Sequence, residues 1–308
     1  MHAIDTPAAE GDGSRKSDPP FALSVDVEDY FQVQAFAHRV ARQEWDRYPS
    51  RVARNTEFLL DLFEAAGARG TFFVLGWVAR EHRVLVARIS SRGHEVASHG
   101  MSHRMLTELT PDAFREEARE SKALLEDLAG APVLGFRAPS YSVGKGTLWA
   151  LEILAEEGYA YDSSVYPIRR RRYGYPGGPT TPGRLPAGPG ASIAEFPLPT
   201  LPMGPVRVPV LAGAYLRLLP QWLSVAAARW HARHRLPLVI NVHPWEIDPG
   251  QPTIGPSRAA TWTHYARLGR TADVLRAVLR CGRFEPVATR LAELRLLDGG
   301  FPARRAAP

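Results

Sequence analysis

The stretch Gly70-Thr-Phe-Phe-Val-Leu-Gly76 decides the fold class. It is an unbroken apolar run between two glycines, and a strand that shows no alternation must be covered on both faces, as in a parallel sheet flanked by helices. Just before it, residues 51–66 carry apolar side chains at helical spacing and stop at Gly67. Before that helix, Phe21-Ala-Leu-Ser-Val-Asp-Val27 reads as a short strand that runs into acids. Beyond the central run, a helix near 78–91 leads to the strand Gly93-His-Glu-Val-Ala-Ser98. Thr110 then caps, and Pro111 opens, a helix to about Leu128. Val133-Leu-Gly-Phe-Arg137 is the next strand, residues 147–157 the next helix and Tyr159-Ala-Tyr-Asp162 a further strand edge. Strand, helix, strand at this spacing predicts an α/β fold around a mostly parallel sheet, open or closed.

The rhythm breaks at 166–192, where Pro, Gly and Arg crowd together and predict an extended loop across one face. Residues 193–199 and 206–210 read as proline-interrupted edge strands. A helix near 215–234, the strand Leu238-Val-Ile-Asn-Val-His243, a helix over 262–281 and a final strand over 283–289 follow. We expect a disordered leader over 1–20, one domain over 21–290 and an untethered tail over 291–308.

The formal charge of +6 comes from 35 Arg and only 3 Lys against 32 acids. Many Arg alternate with Ala and Leu, which describes solvated helix faces rather than a nucleic-acid groove, so no nucleic-acid partner is expected. The single cysteine, Cys281, excludes an internal disulfide and a thiolate metal cluster. No segment reads as a signal peptide or an apolar span, so the expected location is the cytoplasm, with peripheral attachment to the inner membrane left open.

Polar residues recur where predicted strands end: Asp26, Glu28 and Asp29, then His99, Arg137, Asp162 and His243. In a parallel β/α architecture these ends gather on one face. His99 and His103, four residues apart, can offer two nitrogens to a borderline-soft divalent cation. Asp26 and Glu28 share a face if the strand continues, and Asp29 joins them only if the chain turns. One carboxylate can bind the metal while another deprotonates its water. Arg137 can hold such a carboxylate ionised. Tyr141 can lend its backbone N–H to an oxyanion, and its ring, like those of Trp149, Tyr166 and Trp245, to a sugar face. His243 can protonate a leaving amine, with Asp162 orienting it.

These segments resemble the polysaccharide deacetylase family, the NodB-homology carbohydrate esterases. The likeness rests on Leu23-Ser-Val-Asp-Val-Glu-Asp29, Ser98-His-Gly-Met-Ser-His103, Phe136-Arg-Ala-Pro-Ser-Tyr141, Asp162-Ser-Ser164 and Val239-Ile-Asn-Val-His243. The opening Ser24-Val-Asp-Val-Glu-Asp-Tyr-Phe31 and the ending Asn241-Val-His-Pro-Trp-Glu246 are most similar to the branch found in exopolysaccharide loci linked to exosortase and PEP-CTERM sorting. The resemblance implies a distorted (β/α)7-type barrel of parallel strands and a divalent metal, with Zn2+ the first choice. It implies Asp26 as base, His99 and His103 as ligands, Arg137 as the brace of the base, the Tyr141 amide as oxyanion donor and His243 as acid. Asp162 falls in the region supplying the acid's partner. The family places adjacent aspartates where Val27 intervenes here, so the third ligand is Glu28 first and Asp29 second. The implied reaction is removal of acetyl groups from N-acetylhexosamine in an exopolysaccharide or its precursor, with an N-acetylated glycan as partner and contact with exopolysaccharide assembly machinery at the membrane. Allantoinase-like hydrolysis of a cyclic ureide and non-catalytic glycan binding are the rival readings.

Overall fold

The structure, a computed structural model, describes residues 21–170, 173–204, 206–255 and 258–297. The expected leader and the tail from 298 onward lie outside the described residues. Strand β1 (Phe21–Val27) is buried along its whole length and is the hub of the sheet. It pairs in parallel with β2 (Thr71–Val74) on one side and β10 (Val239–Val242) on the other, while β11 (Phe284–Glu285) joins its first residues. Next to β2 come β3 (Glu95–Ser98), β4 (Gly135–Phe136), β5 (Tyr161–Asp162), β7 (Ser192–Glu195) and β6 (Gly183–Pro186), and only β6–β7 is antiparallel. The predicted α/β single domain is present as a curled half-barrel of parallel strands. The apolar run between Gly70 and Gly76 forms β2, with all four strand residues buried, as a strand covered on both faces requires.

Helices α1 (Val52–Ala65), α2 (Gly76–Glu81), α3 (Arg83–Ser91), α4 (Pro111–Ala129) and α5 (Trp149–Glu156) fill the connections between strands. Thr110 caps α4 as expected, its hydroxyl accepting from Ala113 N at 3.3 Å. Longer helices predicted from periodicity are broken by local chemistry. The 215–234 helix splits into α6 (Ala214–Leu218) and α7 (Gln221–His234) at Leu219-Pro220, since proline lacks the N–H to continue α6. The 262–281 helix splits into α8 (Arg258–Tyr265) and α9 (Thr271–Leu279) where Arg267 adopts φ 59°. The 166–192 segment is not all loop: β6 lies inside it and forms a hairpin with β7. Strands β8 (Thr200–Met203) and β9 (Val206–Pro209) form a separate hairpin, and α10 (Val287–Glu293) follows β11.

Side-chain alternation sorts the sheet into two faces. The helix-facing side contributes Leu23, Val25, Val27, Phe72 and Val74 to the large core. The inner side of the curl begins with an apolar floor of Ala22, Phe73, Ala97, Tyr161, Ala194 and Val239, closed by Val287 and Leu291 of α10. Gly135 is required there, because a Cβ would lie 2.1 Å from the Tyr161 ring. Continuing up the same face by twos gives Ser24 and Asp26 on β1, Asn241 and His243 from β10, His99 after β3 and Arg137 after β4.

The same alternation corrects the reading of Asp162. Tyr161 faces inward, so its neighbour Asp162 faces the other way and does not reach His243. It stands beside Glu195, its register partner on β7, and accepts from Ser164 Oγ at 2.6 Å. Both are completely buried. Burial, with the Asp162 charge next, drives the Glu195 carboxyl well above its ordinary value of 4.5, and burial raises Asp162 as well. Glu195 therefore keeps a proton in the fold and donates it to Asp162. The linkage follows: above pH 4.5 the unfolded chain releases a proton that the fold retains, so this pair's stability is full below that pH and declines as pH rises toward the raised folded value. Glu195→Gln, which keeps a neutral donor, should remove this decline. Melting temperatures at about pH 5 and about pH 8 test it: relative to the parent the variant should gain stability at the higher pH, and a pH-independent difference would sink the shared-proton account.

Candidate active site

Glu28, His99 and His103 each offer a ligand atom, all lying within 4.8 Å of one another, and all three residues are buried. Glu28 follows the end of β1 on the inward face, with its N–H turned back to Asp26 O at 3.1 Å. His99 donates from Nδ1 to Arg137 O at 2.8 Å, which leaves Nε2 as the nitrogen that could ligate a metal. Burial pushes its pKa down to about 4 despite Asp26 and Glu28 nearby, so it is neutral, as ligation demands. His103 adopts φ 55°, a left-handed conformation that a histidine keeps only when its surroundings impose it. The imposing contacts are Glu117 of α4, whose Oε2 accepts from the Met101 and Ser102 amides, and Arg42, which donates to Ser102 O at 2.8 Å. Neither Glu117 nor Arg42 carries a motif that sequence reading could have used.

A divalent cation fits this group. Glu28 Oε2 is buried without a hydrogen-bond partner, yet His103 Nε2 stands only 2.5 Å away. Burial would raise the Glu28 carboxyl, but His103, by charge and hydrogen bond, and then His243 overcome it and hold the group ionised. Two imidazole nitrogens and one carboxylate oxygen match the three protein ligands of a catalytic centre rather than the four of a closed structural one.

Asp29 does not join them. It points to the helix side, where Oδ2 accepts from Ser50 Oγ and from the Arg51 and Val52 amides at 2.7, 2.8 and 3.1 Å. Those amides open α1 and have no partner within the helix, so Asp29 serves as its cap. The turn that would have brought Asp29 inward is absent, and of the two candidate carboxylates only Glu28 stands with the imidazoles.

Asp26 sits beside the group and is 2 % exposed. Arg137 Nη1 donates to its Oδ1 at 2.8 Å, and Asn241 Nδ2 to its Oδ2 at 3.0 Å. The Tyr141 hydroxyl accepts from Asn241 Nδ2 at 2.6 Å and donates to Asp26 Oδ2 at 3.3 Å. Burial works against ionisation of Asp26, but Arg137, with His243 behind it, outweighs it and holds the carboxyl below its usual value. The Tyr141 backbone N–H, expected to face an oxyanion, donates instead to Ala138 O at 3.0 Å within the Pro139–Tyr141 turn. Its phenol, held protonated by burial, is the part that reaches the site.

His243 stands opposite, its Nε2 3.6 Å from Asp26 Oδ2 and 3.8 Å from Glu28 Oε1. The partner sought in Asp162 is Glu246. Glu246 Oε2 accepts from His243 Nδ1 at 2.9 Å and from the His243 amide at 3.0 Å, while its other oxygen pairs with the buried Arg217. Burial would lower the imidazole's pKa, yet Glu246, with Glu28 and Asp26 behind it, raises it to about 9. The sequence held the signal: Pro244 opens a turn and an acid sits three residues after His243, the spacing of a capping box. Asn241 was equally legible, two residues before His243 on one strand face. Of the aromatic surfaces, Trp245 and Tyr166 are buried. Trp245 instead donates from Nε1 to Glu28 Oε1 at 3.1 Å and stacks between His243 and His264.

Comparison with known proteins matches the two halves of the chain differently. Residues 163–292 match a domain of unknown function, DUF3473, and residues 37–161 match the polysaccharide deacetylase family. A peptidoglycan-N-acetylglucosamine deacetylase of Bacillus cereus is 31% identical over 98 residues, 32% of this chain and 36% of the relative. A chitooligosaccharide deacetylase of Rhizobium leguminosarum bv. trifolii is 38% identical over 63 residues, 20% of this chain and 29% of the relative. The chain thus spans well under half the length of these curated relatives. A Mycobacterium smegmatis structure assigned to the polysaccharide deacetylases superposes over 98% of this chain and 99% of its own, with TM-score 0.57 and 21% identity, which shows a common fold. Residues 37–161, which carry the two histidines and Arg137, are thus similar to the polysaccharide deacetylase family.

Proposed function

We propose that the chain hydrolyses the acetamido group of N-acetylhexosamine residues in a glycan, releasing acetate and leaving a free amine. One observation carries this reading: Asp26 and His243 flank the Glu28–His99–His103 group with their pKa values driven apart, Asp26 below its ordinary value and His243 up to about 9. An ionised base and a protonated acid are then present together around neutrality. The Glu28, His99 and His103 atoms would hold a divalent cation, and their nitrogen and oxygen donors suit Zn2+. Such an ion supplies Lewis acidity for the amide carbonyl and a more acidic water.

The chain's own groups account for the proton movements. Asp26 Oδ2 takes a proton from the water whose oxygen bonds to the amide carbon. Arg137, Asn241 and the Tyr141 hydroxyl keep that carboxylate ionised and aimed. His243 Nε2 gives its proton to the amide nitrogen as the C–N bond breaks, and the amine leaves neutral. Glu246 fixes the tautomer and keeps the imidazole charged until that moment.

The exopolysaccharide context, the exosortase-linked branch and a partner in the assembly machinery are supported by the opening and closing motifs of residues 24–31 and 241–246. Among the described residues no helix is long and apolar enough to cross a membrane. We place the reaction in the cytoplasm, on a polymer or its precursor.

Acetate release from N-acetylated oligosaccharides, run beside a cyclic ureide, is the deciding assay. Asp26→Asn should lower turnover by roughly 10²- to 10⁴-fold with Zn2+ uptake retained, and unchanged turnover would remove Asp26 as base. Ureide turnover without acetate release would favour the small-molecule reading, and Zn2+ uptake with neither activity the glycan-binding one. Glu28→Ala should lose Zn2+ affinity, whereas Asp29→Ala should keep it and lose about 1 kcal/mol of stability through α1. Glu246→Gln should move the alkaline limb of the pH–rate profile to lower pH by about one unit, because His243 then loses the charge that raises it. An alkaline limb that stays in place would show that His243 is not the acid.

A further inference from the structure

The half of the chain that completes the sheet also carries a surface that the hydrolytic site does not use. From residue 196 to 245, and again from 249 to 272, there is no Asp or Glu, while Arg207, Arg217, Arg229, Arg233, Arg235, Arg267 and Arg270 occur there. Of these, Arg217 is buried against Glu246, Arg207 donates to Thr200 and Arg267 to the Leu218 carbonyl. Large apolar side chains in these stretches are turned outward. Trp222 is 68 % and Trp262 66 % exposed, and Leu223, next to Trp222 in the chain, is also exposed, although the described chain has an extensive core that could have covered them.

Helices α7 and α8 both adjoin α6. Arg217 at the end of α6 donates to Thr263 O at 2.7 Å and His264 O at 3.0 Å in α8, and Arg267 returns a bond to Leu218 O at 2.8 Å. Trp262 therefore sits next to the residue that docks on α6. Trp222 opens α7 only a few residues after α6 ends. Along α7, Trp222, Ala226, Arg229 and Arg233 follow at intervals of four, three and four and are all exposed, while Ser224, Ala227, Ala228 and His231 form the buried side. The outward stripe is thus aromatic and apolar at its start, basic at its end, and free of acid throughout. On the neighbouring α9 the acid is Asp273, already paired with Arg276 at 2.9 Å.

We propose that this α7–α8 surface docks on an anionic lipid bilayer, with Trp222, Leu223 and Trp262 entering the headgroup region and Arg229 and Arg233 meeting lipid charge. Tryptophan favours the water–lipid boundary because its ring is apolar and its N–H still finds a partner. Arginines beside it add attraction to anionic headgroups that falls off within a Debye length. A soluble polyanion would satisfy the arginines but leave two indoles and a leucine without a reason to face outward. The docking lies apart from Asp26 and His243, so it stands or falls independently of the hydrolytic reading.

The test is sedimentation of the full chain with vesicles of phosphatidylcholine alone or mixed with phosphatidylglycerol. Binding to the mixed vesicles should be stronger by roughly tenfold at about 0.1 M salt and should weaken sharply at about 0.5 M. Trp222→Ala with Trp262→Ala should abolish most of it at an unchanged melting temperature, and Arg229→Glu with Arg233→Glu should do the same by reversing charge. Equal affinity for neutral and anionic vesicles, or a tryptophan double variant that binds like the parent, overturns the proposal. So does retention on heparin without sedimentation on either vesicle, which assigns the surface to a polyanion.

Discussion

Arg137 is a cation with no exposed surface, and the upper half of the molecule is arranged around keeping it satisfied. An isolated charge so deep would cost several kcal/mol, so its donors must be met from every side. Nε and Nη2 reach Ser163, through its carbonyl and its hydroxyl, and Nη1 reaches Ser24, Asp26 and Asn241. The guanidinium also lies 4.0 Å over the Phe73 ring. Four strands, β1, β2, β4 and β10, and the segment after β5 are thereby tied at one level of the curl. The Arg137 carbonyl then fixes His99, so one residue orients both the proposed base and a proposed ligand. Removing its charge would leave Asp26 buried without its main counterion, which is why Arg137 belongs with the base and not with the scaffold.

How much of this was legible follows from what alternation can and cannot say. The buried run of β2, the cap of α4 and the strand ends bearing Asp26, His99, Arg137 and His243 can all be read from residue type and period. Alternation by twos even predicts Asn241 from His243 and the inward turn of Glu28 from Asp26. It also argues against Asp162, because Tyr161, the bulkier neighbour, claims the inner face. What the sequence could not supply are contacts set by loops. Glu117 and Arg42 hold His103 in a left-handed conformation, and nothing in their own neighbourhoods marks them. The break at Pro220 was open to reading, since a proline inside a helical period ends the helix, whereas the break at Arg267 lay hidden under a continuous apolar period, which describes a face and not whether the backbone carries on.

The two stretches matched to different families are not two bodies. Residues 37–161 supply the paired histidines and Arg137 but begin after Asp26 and Glu28. His243 and Glu246 come from the stretch matched to a domain of unknown function. The sheet resolves the separation, because β10 pairs directly with β1 in the register Ser24–Asn241 and Val25–Val242. That register sets Asn241 level with Ser24 and brings His243 over Asp26. A shift of one residue would turn Asn241 and His243 to the opposite face. Residues 163–292 also provide β7, β6 and β11 of the same sheet, so their removal would expose both edges of β1–β5 and leave Asp26 without Asn241. The unassigned half is therefore the structural completion of the site, and what remains distinctive about it lies on its outer, acid-free surface.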